Sequence, residues 1–264
     1  MTNLFDMTGK TVLITGGSRG LGKAMAHGFA EAGANIAVVS RKLDACEATA
    51  RELEALGVRA LPYACHVGRW DEIEPMFEAV WDHFGKVDVV VNNAGMSPLY
   101  PSLGAVSERL FDSVIGVNFK GPFRLGALAG ERMAAARING AIINISSTAS
   151  LTPSPGTAFY GAAKAGLGVL TQAFATAFQP YVRANTIIVG PFATDVAEHW
   201  PDPPDHARPG LTKSGRRVGM PEDIVTTALY LACDASRYVN GAAIKVDGGG
   251  WGTSRAVEDA DAAS

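Results

Sequence analysis

The chain predicts a doubly wound α/β fold, a seven-stranded parallel sheet with helices on both faces. Three observations carry this. Short β-branched runs alternate with longer stretches of helical period along most of the chain. The strand-like runs are continuously apolar, as strands covered on both faces must be. The first of them also runs straight into a glycine-rich turn and then a helix. At 264 residues, with 47% hydrophobic and 19% charged side chains, the chain is long and apolar enough to bury a sizeable core, which excludes disorder for most of it.

The elements follow in order. Residues 10–15 read as the first strand, followed by the glycine turn and a helix through about residue 32. Residues 35–40 form the second strand, and 43–56 a helix that stops at Gly57. Strands at 58–64 and 87–91 flank a helix over about 71–84 that ends at Gly85. A helix over about 116–137 leads into a strand at 141–146. A long helix at 158–179 precedes a strand at 183–189. Pro221 suits the first turn of a helix reaching about Cys233, and residues 243–246 give the last strand. One domain, residues 1–252, accounts for the pattern, with an irregular lid at about 195–215 and a small, polar C-terminal tail at 253–264.

Charge and cysteine usage narrow the function classes. Twenty-three basic and 26 acidic side chains give a formal charge of −3, and no Lys/Arg run marks a nucleic-acid or membrane footprint. Three cysteines, far apart and odd in number, argue against a disulfide framework and for a reducing compartment. The first ten residues carry no apolar signal core, so a cytoplasmic protein is expected. The acids and histidines of the lid (Asp195, Glu198, His199, Asp202, Asp205, His206) lack a zinc spacing, and no metal is expected.

The turn reads Thr15-Gly16-Gly17-Ser18-Arg19-Gly20-Leu21-Gly22. Glycines allow a tight turn and a close approach of backbone to a pyrophosphate, and the helix N-terminus adds N–H groups and positive dipole. At the first βα junction of an alternating chain this is the mark of a Rossmann-like nucleotide site. The second strand ends in Ser40-Arg41-Lys42. An acid at Ser40 would hold an adenosine ribose and select NAD; an uncharged serine followed by arginine suits a 2′-phosphate, which Arg19 can also clamp. The cofactor expected is NADP(H).

Tyr160 and Lys164 stand four residues apart on one helical face. A phenol of pKa near 10 is a poor base at neutral pH, and a neighbouring cation favours phenolate. Two unit charges about 4 Å apart interact by roughly 4 kcal/mol at an effective dielectric of 20. Lys164 is the only charged side chain between Ile138 and Val182. An ammonium in such surroundings is costly unless compensated.

These residues and their order, over about residues 10–249, resemble the short-chain dehydrogenase/reductase family, with its Gly-x-x-x-Gly-x-Gly turn and Tyr-x-x-x-Lys pair. The resemblance implies hydride transfer between a nicotinamide and a carbonyl or secondary alcohol. It implies Ser147 as the hydroxyl that holds the substrate oxygen, Tyr160 as acid/base, Lys164 as the ribose ligand, and Asn118 as the residue holding a proton-relay water. It implies cofactor contacts by Gly16, Ser18, Arg19, Gly20, Leu21, Gly22, Ser40, Arg41, Asn93, Ala94, Gly95, Gly190 and Thr194. Two departures stand out. The family's Asp-Val after the third strand, whose Asp meets the adenine amino group, is His66-Val67, and the family's Pro-Gly is Val189-Gly190. His66 can still hydrogen-bond adenine through a ring nitrogen.

The substrate expected is a small, uncharged carbonyl or alcohol. A 3-oxoacyl reductase, a sugar or polyol dehydrogenase and a steroid or xenobiotic carbonyl reductase all fit the motifs. Candidate pocket residues are Met96, Leu99, Tyr100, Thr148, Leu151, Phe192 and Trp200. A non-catalytic NADPH-binding sensor or scaffold is the reading from another class, and the intact Ser, Tyr and Lys speak against it. Residues 165–182 carry no charge. A helix covering one face of a sheet should show a polar outer stripe; without one, the outer face is expected to be covered too. Gln172, Gln179 and Pro180 argue against a membrane span. The preceding helix can pair beside it through Gly126, Ala127 and Gly130. A homotetramer, or a homodimer, is expected.

Overall fold

In the computed structural model, residues 4–152, 154–195, 197 and 203–249 are described. The predicted tail, and Glu198, His199, Trp200 and Asp202 of the lid, lie outside them. Seven parallel strands form one sheet in the order β3-β2-β1-β4-β5-β6-β7. They are β1 Thr11–Thr15, β2 Asn35–Ser40, β3 Ala60–Ala64, β4 Val89–Asn92, β5 Gly140–Ser147, β6 Val182–Val189 and β7 Ala243–Val246. Strand order reverses between β1 and β4, and it is beside such a switch point, at the carboxyl edge, that α/β sheets bind ligands.

Alternation along the strands divides the core in two. Val12, Ile14, Val89, Val91 and Ile143 face one cluster, with Met25 and Phe29 of α1 (Gly20–Glu31), Cys46 and Leu53 of α2 (Leu43–Glu54), and Leu231 of α7 (Val225–Ala232). Leu13, Val90 and Ile142 face the other, with Ile73, Met76 and Phe77 of α3 (Trp70–Phe84), Leu125 and Met133 of α5 (Gly121–Ala135), and Phe174 of α6 (Ala158–Ala177). Helices α5 and α6 pack closely because Gly126 and Gly130 leave room for aromatic rings. A Cβ at Gly126 would lie 2.5 Å from Phe174, and one at Gly130 would lie 2.1 Å from Phe178. Small residues thus make the expected pairing, as a seam inside the chain.

One element begins earlier than the sequence suggests. The helix read from residue 116 starts as α4, Glu108–Ile115, capped by Ser107, whose Oγ accepts from the Leu110 N–H at 3.2 Å. It passes through a π turn, Gly116–Lys120, before α5. The helix expected from Pro221 opens as a 3₁₀ turn, Pro221–Ile224, ahead of α7.

A buried polar ladder crosses the middle of the sheet. Asn92 Nδ2 donates to Asn144 Oδ1 at 2.8 Å, Asn144 Nδ2 donates to Thr171 Oγ1 at 2.8 Å, and Thr171 and Thr186 share a bond of 2.8 Å. These residues, from β4, β5, α6 and β6, are at most 2% exposed. Among the described residues, no helix is long and apolar enough to cross a membrane, and no group of three or more His, Cys, Asp or Glu could hold a metal ion.

Candidate active site

The glycine turn is built to have no side chains on its inner side. Gly16 has φ +67°, and a Cβ at Gly22 would lie 2.1 Å from the Gly16 carbonyl oxygen. The turn is anchored to β4. Thr15 Oγ1 accepts from the Asn93 and Ala94 N–H groups at 3.0 and 3.1 Å, and Asn93 Nδ2 donates to Thr15 O at 3.0 Å and Gly16 O at 3.3 Å. Leu21 and Gly22 follow in the first turn of α1, which has no side-chain cap. Its N–H groups therefore face the crevice ready for an anion. A dinucleotide fits this cradle.

At the end of β2, Ser18 Oγ donates to Ser40 Oγ at 2.9 Å, and Cys46 Sγ lies 3.1 Å from the same oxygen. Arg41 is exposed beside them. Arg19 instead pairs with Asp195 of the lid, Nη1 to Oδ2 at 3.6 Å, with both side chains more than 60% exposed. Such a pair contributes at most about 1 kcal/mol, so Arg19 is easily drawn elsewhere. At the end of β3, the His66 N–H donates to Glu72 Oε2 at 2.7 Å, and Val67 is buried among apolar side chains.

Four chemical groups converge at the carboxyl ends of β4 and β5. Alternation turns Ser146 inward, where its Oγ donates to Lys164 O at 2.9 Å, and leaves Ser147 facing the cleft. Gly161 permits α6 to sit on the turn after Ser147, since a Cβ there would lie 2.6 Å from Ala149 O. Spacing alone gave no hint of that role. Desolvation by burial holds the Tyr160 phenol above its usual 10, and the neighbouring Ser147 hydroxyl, which also accepts from the Ala149 N–H at 3.2 Å, works in the opposite direction with smaller effect. Lys164 is 3% exposed and donates from Nζ to Ile145 O at 2.8 Å. Burial pushes its ammonium down to about 8. The expected depression of the phenol by Lys164 is not what dominates here: Nζ lies 6.0 Å from the Tyr160 ring centre and is engaged with the β5 carbonyl.

Asn118 occupies the middle of the π turn and is fully buried. Its Nδ2 donates to Met96 O at 2.8 Å and Val114 O at 2.9 Å, while Oδ1 accepts from the Met96 N–H at 3.2 Å. Gly95 joins it to Lys164: a Cβ on Gly95 would lie 3.1 Å from Asn118 Oδ1 and 3.6 Å from Lys164 Nζ. Gly190 abuts Asp247, and Thr194 packs its methyl toward Gly20. The loops at the mouth are tied by Tyr100, whose hydroxyl donates to Pro155 O at 2.6 Å and accepts from the Ala158 N–H at 3.0 Å. Every predicted site residue among these lies along one edge of the sheet. The Tyr100 brace and the Arg19–Asp195 contact were not foreseen, because both join segments remote in sequence.

A glycine-rich turn at a helix N-terminus and a Ser-Tyr-Lys cluster on one crevice are the features expected of a nucleotide-dependent oxidoreductase. Comparison with known proteins makes the class specific. The short chain dehydrogenase family model matches residues 10–205. The chain is 36% identical to 3β-hydroxysteroid dehydrogenase 1 of Eggerthella lenta, over 92% of this chain and 94% of that protein. It is 34% identical to a 3-oxoacyl-[acyl-carrier-protein] reductase of Thermotoga maritima, over 92% and 98% of the two chains. The solved NADPH-dependent 3-quinuclidinone reductase of Rhodotorula rubra superposes with a TM-score of 0.84 at 28% identity, covering 93% of this chain and 92% of that one. The protein belongs to the short-chain dehydrogenase/reductase family, whose members are oxidoreductases of alcohols and carbonyls that use nicotinamide cofactors.

Proposed function

We propose that the protein is an NADP(H)-dependent oxidoreductase that interconverts a small, uncharged carbonyl compound and its secondary alcohol. The observation that carries the chemistry is the juxtaposition of Tyr160 with Ser147, whose hydroxyl acts on the phenol, and with buried Lys164. A bound nicotinamide supplies or accepts the hydride. Ser147 holds the substrate oxygen and stabilises charge developing on it. Tyr160, kept protonated by its surroundings, gives its proton to that oxygen in reduction and takes one back in oxidation. Lys164 presents a cation to the ribose hydroxyls, and the Asn118 turn holds the loop after β4 against Lys164.

The cofactor preference is supported by the absence of a carboxylate at Ser40, with Ser18 bonded to it and Arg41 adjacent. Gly16, Gly20, Leu21 and Gly22 cradle the pyrophosphate, Asn93, Ala94, Gly95 and Val67 line the base and ribose side, and Gly190 and Thr194 face the nicotinamide end. The 2′-phosphate would draw Arg19 from Asp195.

Substrate class follows from the mouth of the cleft. Residues 94–107 and 144–160, which flank Ser147 and Tyr160, carry no charged side chain. Leu99, Leu103 and Leu151 on these segments are more than half exposed. A carboxylate or phosphate substrate would find no partner there. The exposed face of α6, with Ala165, Val169, Ala173 and Ala177, supports a homo-oligomer, a tetramer by preference. Three free, buried cysteines suit a reducing cytoplasm. The test is the initial rate over a panel of neutral and anionic ketones with NADPH and NADH. Equal or better efficiency with NADH, or a preference for anionic ketones, refutes the corresponding part.

A further inference from the structure

We propose that Tyr100 is a positioning residue for the proton transfer: its hydroxyl sets the first turn of α6, and through that turn the place of the Tyr160 phenol. The inference rests on the reading of Tyr160 as the acid/base. Helix α6 opens at Ala158, and Tyr160 lies two residues further on, inside the first turn. The N–H groups of a first turn have no partner within the helix, and Thr157, at the capping position, offers no side-chain acceptor. The acceptor comes instead from a loop remote in sequence. Tyr100 Oη accepts from the Ala158 N–H at 3.0 Å and donates to Pro155 O at 2.6 Å. One hydroxyl thus ties the 3₁₀ turn Pro155–Thr157 to the helix that follows it.

The ring supports what the hydroxyl holds. Phe159, 7% exposed, is flanked by Tyr100 at 5.0 Å between ring centres and by Phe111 of α4 at 5.7 Å. On the other side of Tyr160 in sequence, Gly161 brings the same turn onto Ala149 O, just after Ser147. Both neighbours of the acid/base are therefore anchored. The loop that carries Tyr100 is itself fixed four residues earlier, where Asn118 bonds both the N–H and the carbonyl of Met96. The Tyr100 proton is committed to Pro155 O, so this hydroxyl has none to give a substrate oxygen. It acts through Tyr160. A displacement of a reacting group by about 1 Å can cost roughly 10²-fold in rate, and releasing one anchor of so short a turn permits movement on that scale.

The test is a double-mutant cycle of Tyr100→Phe and Tyr160→Phe in the full chain, with NADPH and the neutral ketone reduced fastest in the panel above. Tyr100→Phe keeps the ring stack and deletes both hydrogen bonds. It should lower kcat by about 10- to 100-fold and leave NADPH affinity, read by nicotinamide fluorescence, unchanged. In the Tyr160→Phe background the same change should cost nothing further, because a misplaced phenol and an absent one fail alike. Full kcat in Tyr100→Phe overturns the proposal. So does a loss that repeats in full in the Tyr160→Phe background or comes with an equal loss of NADPH affinity, since either is general damage. Amide hydrogen exchange gives a second measurement that needs no turnover. In Tyr100→Phe, exchange at Ala158 should quicken by about tenfold or more while residues 165–177 keep their protection; unchanged exchange at Ala158 also overturns the proposal. Near-full kcat in Tyr160→Phe alone is a different result: it removes the acid/base reading and leaves the exchange measurement standing.

Discussion

Replacing Lys164 by methionine should uncouple the protein's stability from pH over one window. The ammonium is 3% exposed, and burial lowers its pKa from 10.5 to about 8. In the unfolded chain the amine stays protonated up to its ordinary value, so between these two pH values the unfolded state binds more protons than the native one. Stability therefore rises with pH through the window, and the burden of the buried charge is full below pH 8. A difference of 10.5 − 8 = 2.5 units corresponds to about 3 kcal/mol. Most of this is relieved by pH 10. Urea unfolding of Lys164→Met and the unmutated chain, at pH 7 and pH 10 and equal protein concentration, isolates the effect, since other titrating groups are common to both. The unmutated chain should gain about 2 kcal/mol relative to the variant over that interval. Parallel behaviour of the two proteins would show that Lys164 titrates natively as it does in water, and the account of its burial would be wrong.

Other expected outcomes concern chemistry, cofactor and assembly. Tyr160→Phe should retain cofactor binding, read by nicotinamide fluorescence, while turnover falls by about 10²–10⁴ or more; near-full kcat would remove Tyr160 as the acid/base. Arg41→Ala should erode the NADPH-over-NADH preference by roughly 10- to 150-fold, the value of one charge-assisted contact. An unchanged ratio would place the 2′-phosphate elsewhere. Ala173→Glu or Ala177→Glu, on the exposed face of α6, should dissociate or destabilise the oligomer by several kcal/mol through a buried, unpaired carboxylate. Light scattering checks this, and a stable mass near 27.6 kDa for the unmutated chain would exclude an oligomer altogether.

The order of strands and helices was legible because local periodicity and turn glycines suffice for it. β2 and β7 fall on the residues expected, and the remaining strands shift by one or two. The start of α4 was hidden. Ser107-Glu108 is a sound helix opening, but it follows a long irregular stretch, and the π turn around Asn118 breaks the 3.6-residue period just where the next helix seemed to begin. Tyr160 and Lys164 stood out by their i, i+4 spacing and Ser147 only through the family resemblance, and the partner of the lysine was not legible in either. That its Nζ turns to Ile145 O depends on how α6 meets β5, and this in turn depends on Gly161, a residue with no chemistry of its own. Likewise Arg19 looks from sequence like a phosphate clamp, while its contact with Asp195 arises from the fold of a distant loop.

The polar ladder of Asn92, Asn144, Thr171 and Thr186 acts as a ruler for the whole carboxyl edge. Asn92 pairs with Asn144 in strand register, so a slip of one residue between β4 and β5 would turn one of them to the opposite face of the sheet. A slip of two would keep the faces but set each amide against the wrong neighbour. Either error leaves buried amides and hydroxyls unpaired, at about 1–3 kcal/mol for each group. Apolar strands such as Val89–Asn92 and Gly140–Ser147 would otherwise discriminate weakly between registers. The sheet centre thereby determines how far β5 runs past β4, with Ser147 three residues beyond the Asn92–Asn144 rung, and so how the nucleotide turn and the reacting hydroxyls stand relative to one another.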